Sequence, residues 1–164
     1  MKVKFKGNDV ELKGKQFAVN ETIPDFTVTD PNMNSLSFKD TTGVRILLAV
    51  PSIDTSVCDL EVATFNDKVK DLPNITCYTI SMDLPFAQAR WCAAKGIENV
   101  KIYSDYKDRS FADVSGTYIK ELGLLTRAAF VIDSGNRIVY ADYMEEVSSQ
   151  PNFDQVLEAA KNAK

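Results

Sequence analysis

Residues 44–58 read Val44-Arg45-Ile46-Leu47-Leu48-Ala49-Val50-Pro51-Ser52-Ile53-Asp54-Thr55-Ser56-Val57-Cys58. The first seven are nearly all aliphatic, which fits a strand buried on both faces. Pro51 ends it, because proline brings no amide hydrogen to a ladder. After the loop Ser52–Asp54, Leu60, Val62, Phe65 and Val69 recur at helical spacing through Val57–Leu72. Thr55 or Ser56 can cap that helix, and Ser56-x-x-Asp59 matches a capping box. A buried strand running straight into a helix predicts an α/β fold. It also places Cys58 just inside a helix N-terminus.

Working outward, Val3–Lys6 and Val10–Lys13 alternate around Gly7-Asn8-Asp9, a hairpin signal. Phe26–Thr29 and Leu36–Phe38 flank the turn cluster Asp30–Asn34. Downstream, Ile75–Ser81 predicts a strand, Leu84–Lys95 a helix stopped by Gly96, and Val100–Tyr103 a strand. Phe111–Leu122 predicts a helix that contains Gly116. Ala128–Ile132 and Arg137–Ala141 flank Asp133-Ser134-Gly135-Asn136, a second hairpin. Asn152–Lys164 closes the chain as a helix with Phe153, Val156, Leu157 and Ala160 on one face. The order is ββ, ββ, β-α-β-α-β-α-β-β-α. It predicts a thioredoxin-like fold: a central mixed sheet flanked by helices, preceded by an N-terminal β-hairpin within residues 1–17. The 164 residues are read as one domain.

Composition narrows the chemistry. The chain is 45% apolar and 26% charged, with net charge −4. That is a globular composition without the basic bias of a nucleic-acid binder. Five lysines in residues 1–20 face only Asp9 and Glu11 and are read as a solvated hairpin edge. No export signal or membrane-length apolar run is seen, so a cytoplasmic location is expected. There is no histidine. Ser-His and Cys-His nucleophile pairs and His-ligated metals are therefore excluded. Three cysteines, Cys58, Cys77 and Cys92, are too few for a disulfide scaffold and not spaced for zinc. No cofactor or metal is called for.

Cys58 has the most reactive setting. Free amides and the dipole at a helix N-terminus favour an anion there. Thr55, one turn earlier, can reach the thiol or its substrate. Position alone fits an inert buried cysteine equally well. Cys77, inside an alternating strand, reads as core. Arg127 at a strand end, taken alone, reads as a surface ion pair.

The wider pattern changes that reading. Pro51-x-x-x-Thr55-x-x-Cys58 resembles the active-site signature of peroxiredoxins. Asp59–Asn66, Ser81–Cys92 and Leu124–Asp133 are similar to segments of the bacterial thiol peroxidase subfamily, and the likeness runs over nearly the whole chain. The resemblance implies a thioredoxin-dependent peroxidase acting on hydrogen peroxide and organic hydroperoxides. Cys58 would be the peroxidatic cysteine. Thr55 would hydrogen-bond the peroxide and the thiolate, Pro51 would shield the pocket, and Arg127 would stabilise the thiolate and polarise the peroxide. Cys92, 34 residues on, would be the resolving cysteine of an intramolecular disulfide. Both helices would then have to unwind locally. A homodimer is also implied. Two departures stand out: Ser56 where relatives carry proline, and Trp91 where Phe is usual. Glu61 could orient Arg127, and Phe86, Trp91 and Tyr143 could line an apolar approach, although core packing suits each singly. A redox relay passing a disulfide to a partner protein is the alternative function. A general disulfide oxidoreductase is disfavoured, because no C-x-x-C pair is present.

Overall fold

The computed structural model describes the whole chain, Met1–Lys164. Eleven strands and four helices follow one another. They are β1 (Lys2–Phe5), β2 (Asn8–Lys13), β3 (Thr27–Thr29), β4 (Ser35–Ser37), β5 (Val44–Ala49), α1 (Ser56–Val69), β6 (Ile75–Ser81), α2 (Pro85–Lys95) and β7 (Val100–Ser104). Then come α3 (Ser110–Ser115), β8 (Tyr118–Ile119), β9 (Leu124–Leu125), β10 (Ala128–Ile132), β11 (Ile138–Tyr143) and α4 (Phe153–Asn162).

The main sheet runs β11-β10-β5-β6-β7-β3-β4. β5, β6 and β7 are parallel, and β10 joins β5 antiparallel. This is the mixed, thioredoxin-like sheet the element order predicted. All six residues of β5 are buried, as a strand at the sheet centre must be. Alternate residues feed two cores. Ile46 and Leu48 join Val62 and Phe65 of α1 and Val156 and Leu157 of α4. Leu47 and Ala49 face the opposite cluster with Phe17, Phe26, Phe38 and Phe111. Arg45 lies on this second side, fully buried, donating to Asp133 O and Asn136 Oδ1 at 2.7 Å and sitting over the Phe38 ring.

The N-terminal hairpin turns through Lys6 and Gly7, both at positive φ. That is one residue earlier than the Gly7-Asn8-Asp9 reading. Phe5 pairs with Asn8, so the loop has two residues. The hairpin does not stand alone. β2 pairs with β8, and β8 with β9, giving a second sheet β1-β2-β8-β9. Val3, Val10 and Leu12 pack there on Ile119 and Val147.

This second sheet corrects the predicted helix over Phe111–Leu122. The helix covers only Ser110–Ser115. Gly116 ends it at φ +66°, and a Cβ there would lie 2.7 Å from the Lys15 carbonyl. Tyr118–Ile119 then extends into β8, drawn by pairing with β2. Smaller shifts occur elsewhere. Phe38 leaves the strand for a short 3-10 turn. Thr55 caps α1 without the Ser56–Asp59 box. Of the hairpin strands around Asp133–Asn136, Ala128–Ile132 forms as read, while the second starts one residue later and runs on to Tyr143, with a bulge near Ile132.

Candidate active site

α1 begins where the parallel strand β5 ends, so its N-terminus opens at the C-terminal edge of the sheet, where ligands of open α/β sheets bind. Thr55 is the cap. Its Oγ1 accepts the Cys58 amide hydrogen at 3.2 Å and donates to Ser52 O at 3.2 Å. The hydroxyl therefore touches the cysteine's backbone amide and not its sulfur, so the expected Thr55–thiol bond is not made: capping the helix commits the hydroxyl to Cys58 N and Ser52 O. Pro51 is buried at the strand's end.

The Cys58 side chain is wholly buried. Arg127 donates to its sulfur: Nη2 lies 2.9 Å from Sγ. The same guanidinium donates from Nη1 to Glu61 Oε1 at 2.9 Å and from Nε to Val147 O at 2.6 Å. Arg127 is not a surface ion pair. It is 2% exposed, and Glu61 is 0% exposed. Glu61 sits three residues after Cys58, so both project from one face of α1. β9 and β10 deliver Arg127 from across the fold, so a planar cation meets a sulfur and a carboxylate in a dry site. A guanidinium at this distance stabilises an anionic sulfur. Burial pushes the Glu61 carboxyl up to about 7, against the opposing pull of Arg127. Its second oxygen, Oε2, has no hydrogen-bond partner.

Cys92 is not in this cluster. It lies half-buried on α2, packed with Trp91 against the core that α1 also covers. Burial raises its thiol. The three cysteines are free, and no disulfide is formed. Lys95 on α2 pairs with Asp59 on α1 at 3.1 Å and so links the two cysteine-bearing helices. Cys77 is fully buried in β6, its thiol raised first by burial and then by the nearby Glu61. It is core, as its alternating strand suggested.

Two residues that sequence reasoning passed over organise the surroundings. Asp83 accepts from Ser52 Oγ at 2.7 Å, Ile53 N at 2.9 Å and Ser81 Oγ at 2.6 Å. It ties the loop before α1 to the turn before α2. Gln150 donates from Nε2 to Val57 O at 2.9 Å. The Ser52–Asp83 contact spans 31 residues and the Gln150–Val57 contact 93, so no local spacing announces them. A groove of about 540 Å³ runs beside the site, lined by Ile53, Leu84, Phe86, Arg90 and Trp91 among others. Phe86 is 68% exposed there. Tyr143 is elsewhere: its hydroxyl donates to Ser115 O and accepts from Phe17 N, a packing role.

A family model for the AhpC/TSA family matches residues 19–141. The chain is 57% identical over 164 residues to a thiol peroxidase of Clostridium acetobutylicum, covering 100% of both. It is 46% identical to a thiol peroxidase of Bacillus subtilis, covering 97% of this chain and 96% of that one. Among solved structures, a peroxiredoxin-like protein from Aquifex aeolicus matches with a TM-score of 0.92 at 32% identity, over 98% of this chain and 95% of the other. With this likeness extending through the fold and the full length of the sequence, the chain belongs to the thiol peroxidases of the AhpC/TSA family.

Proposed function

We propose that this chain is a thiol-dependent peroxidase in which Cys58 attacks hydrogen peroxide and organic hydroperoxides. The observation that carries the assignment is Arg127 Nη2 at 2.9 Å from the Cys58 sulfur, in a buried site that contains no histidine. The Cys58 thiolate attacks the terminal peroxide oxygen. The O–O bond breaks, and the leaving alkoxide or hydroxide takes up a proton to give alcohol or water. Charge moves from sulfur toward oxygen in that step, and Arg127 with the amides of the first α1 turn is oriented before it begins. Thr55 holds that turn in shape through the Cys58 amide, with its hydroxyl at the open end of the helix. Pro51 shields the pocket floor.

Cys58 becomes a sulfenic acid. Cys92 condenses with it, forming an S–S bond and releasing water. The family likeness supports this pairing, and so does the placement of both cysteines on helices over one core. The Cys58 sulfur faces Arg127 while Cys92 lies outside that cluster on another helix, so disulfide formation requires the first α1 turn and the Cys92 end of α2 to unwind. A thioredoxin-like dithiol then reduces the disulfide by exchange. That supply of reductant supports a cytoplasmic location. No helix is long and apolar enough to cross a membrane. The family likeness also supports a homodimer, which sedimentation of the reduced protein tests.

Reduced protein treated with one equivalent of an organic hydroperoxide tests the scheme. Two thiols should disappear, ~2 mass units should be lost, and a Cys58–Cys92 linked peptide should appear, leaving Cys77 free. Oxygen retained on Cys58 without an internal link would remove Cys92 from the cycle. Three surviving thiols would remove the peroxidase assignment.

A further inference from the structure

The segment Met144–Gln150, which joins β11 to the start of α4, touches both halves of the site. At one end it holds Arg127: Met144 N donates to Arg127 O at 3.1 Å, and Val147 O accepts from Arg127 Nε at 2.6 Å. At the other end Gln150 Nε2 donates to Val57 O at 2.9 Å. Val57 is the residue before Cys58, in the turn that has to unwind. The strap itself has firm backing. Lys4 N donates to Glu145 O, and Val147 N donates to Lys4 O at 2.8 Å. The amides of Lys6 and Gly7, at the hairpin turn, both donate to the Glu146 carboxylate at 3.2 Å. Beyond Pro151, Asn152 caps α4 by accepting from Gln155 N at 3.0 Å. One partner in the Gln150–Val57 bond is therefore anchored on the hairpin sheet and α4, and the other belongs to the movable turn. The amide orientation of Gln150 is set by this bond alone, because its Oε1 is buried without a partner.

We propose that Gln150 is a positioning residue, a latch that holds the first turn of α1 closed. It sets how often Cys58 leaves the Arg127 pocket to meet Cys92. The inference rests on the assignment of Cys58 and Cys92 above. The hydrogen bond exists only in the closed turn, so removing it raises the ratio of open to closed conformers. A net neutral hydrogen bond corresponds to a change of about two- to tenfold in that ratio. Two fates of the Cys58 sulfenic acid respond in opposite ways. Condensation with Cys92 needs the open turn. A second peroxide, which takes the sulfenate to sulfinate and leaves as alcohol or water, needs the closed pocket with Arg127. Peroxide attack on the reduced enzyme also uses the closed form, which stays the majority species.

Gln150→Leu keeps most of the side-chain volume and deletes the donor, and Gln150→Ala deletes both. The test follows the full-length reduced protein by rapid mixing with hydrogen peroxide. Disulfide appearance is read by intact mass after acid quench, and sulfinate is read at increasing peroxide. Both variants should form the disulfide about two- to tenfold faster than wild type. Sulfinate at a given peroxide should fall by a matching factor, and the rate of first peroxide consumption should not change. A variant with lower thermal stability but the wild-type partition between disulfide and sulfinate would overturn the latch. So would a shift seen with alanine and not with leucine, which would make the effect one of packing. If wild type forms no Cys58–Cys92 link, the catalytic assignment and the latch fall together. If it forms the link and the leucine variant matches its rate, the latch alone falls.

Discussion

Arg127 has three donor nitrogens, and each is committed: one to sulfur, one to a carboxylate, one to a backbone carbonyl. A lysine could not satisfy this fork. Glu61 bears the cost of its burial: one of its oxygens is unpaired, and desolvation raises its carboxyl to about 7 against the pull of Arg127. The folded protein therefore keeps a proton up to about pH 7 that the unfolded chain releases near the ordinary value of 4.5. Between those values the folded state binds more protons, so raising the pH favours unfolding. Stability from this group is present in full below pH 4.5 and lost as pH rises through about 7. Urea unfolding of reduced wild type and Glu61→Gln between pH 4.5 and 8 measures it. Wild type should lose stability relative to the variant on the order of 1–3 kcal/mol across the window, then run parallel above it. A constant difference would show that Glu61 is ionised throughout. Asp105, also pushed up to about 6 by burial, is present in both proteins and cancels. Cys58, Thr55 and Arg127 were legible in the sequence because they stand in short runs with a recognisable pattern. Glu61 is read from the sequence as able to orient Arg127, and the 2.9 Å bond between them bears that out; the Gln150–Val57 bond spans 93 residues, so the place of Gln150 is not written in local spacing.

At the scale of elements, hydrophobic periodicity located β5, α1, β6, α2 and α4 within a few residues. Those segments bury one face or both, so their pattern reports their structure. It failed over Phe111–Leu122, where apolar residues at roughly helical spacing serve two different cores. Phe111 and Ala112 pack beneath the main sheet, while Ile119 belongs to the hairpin sheet. Gly116 makes the switch. Its φ of +66° is matched by Gly96 at the end of α2, but the surroundings differ. A Cβ on Gly116 meets Lys15 C and O at 2.7 Å and Gln16 N at 2.8 Å, whereas one on Gly96 meets nothing within 4 Å. Both alanine variants incur the cost of a left-handed backbone, about 1 kcal/mol. Only Gly116→Ala must also displace the backbone of the segment after β2. Chemical denaturation should show Gly116→Ala losing at least about 2 kcal/mol more than Gly96→Ala. Equal losses would mean that Lys15–Gln16 moves aside freely and that β2–β8 pairing does not fix its position.

At the scale of the whole molecule, the proposed cycle asks the central strands to stay closed and two helix ends to open. β5, β6, β7 and β10 are paired on both sides and covered by two apolar clusters. Nothing in the proposed cycle requires them to open. The parts the proposed cycle requires to move are the ends of two helices that pack over one core. α1 begins with an exposed turn held by Thr55, Gln150 and the Lys95–Asp59 pair. α2 ends at Gly96, whose amide closes onto Cys92 O. The exposed ion pair contributes at most about 1 kcal/mol. These tethers are a few polar contacts rather than a packed apolar interface, which is what the proposed opening of the turn requires. Hydrogen exchange on the reduced and disulfide forms should report this division directly. Amides from Ser56 to Leu60 and from Ala89 to Lys95 should lose protection on oxidation, while those of the four central strands keep it. Loss of protection in the sheet would mean that oxidation unfolds the domain as a whole. Unchanged protection in both helix ends would mean that Cys58 and Cys92 meet without unwinding, and the opening step of the proposed cycle would fall.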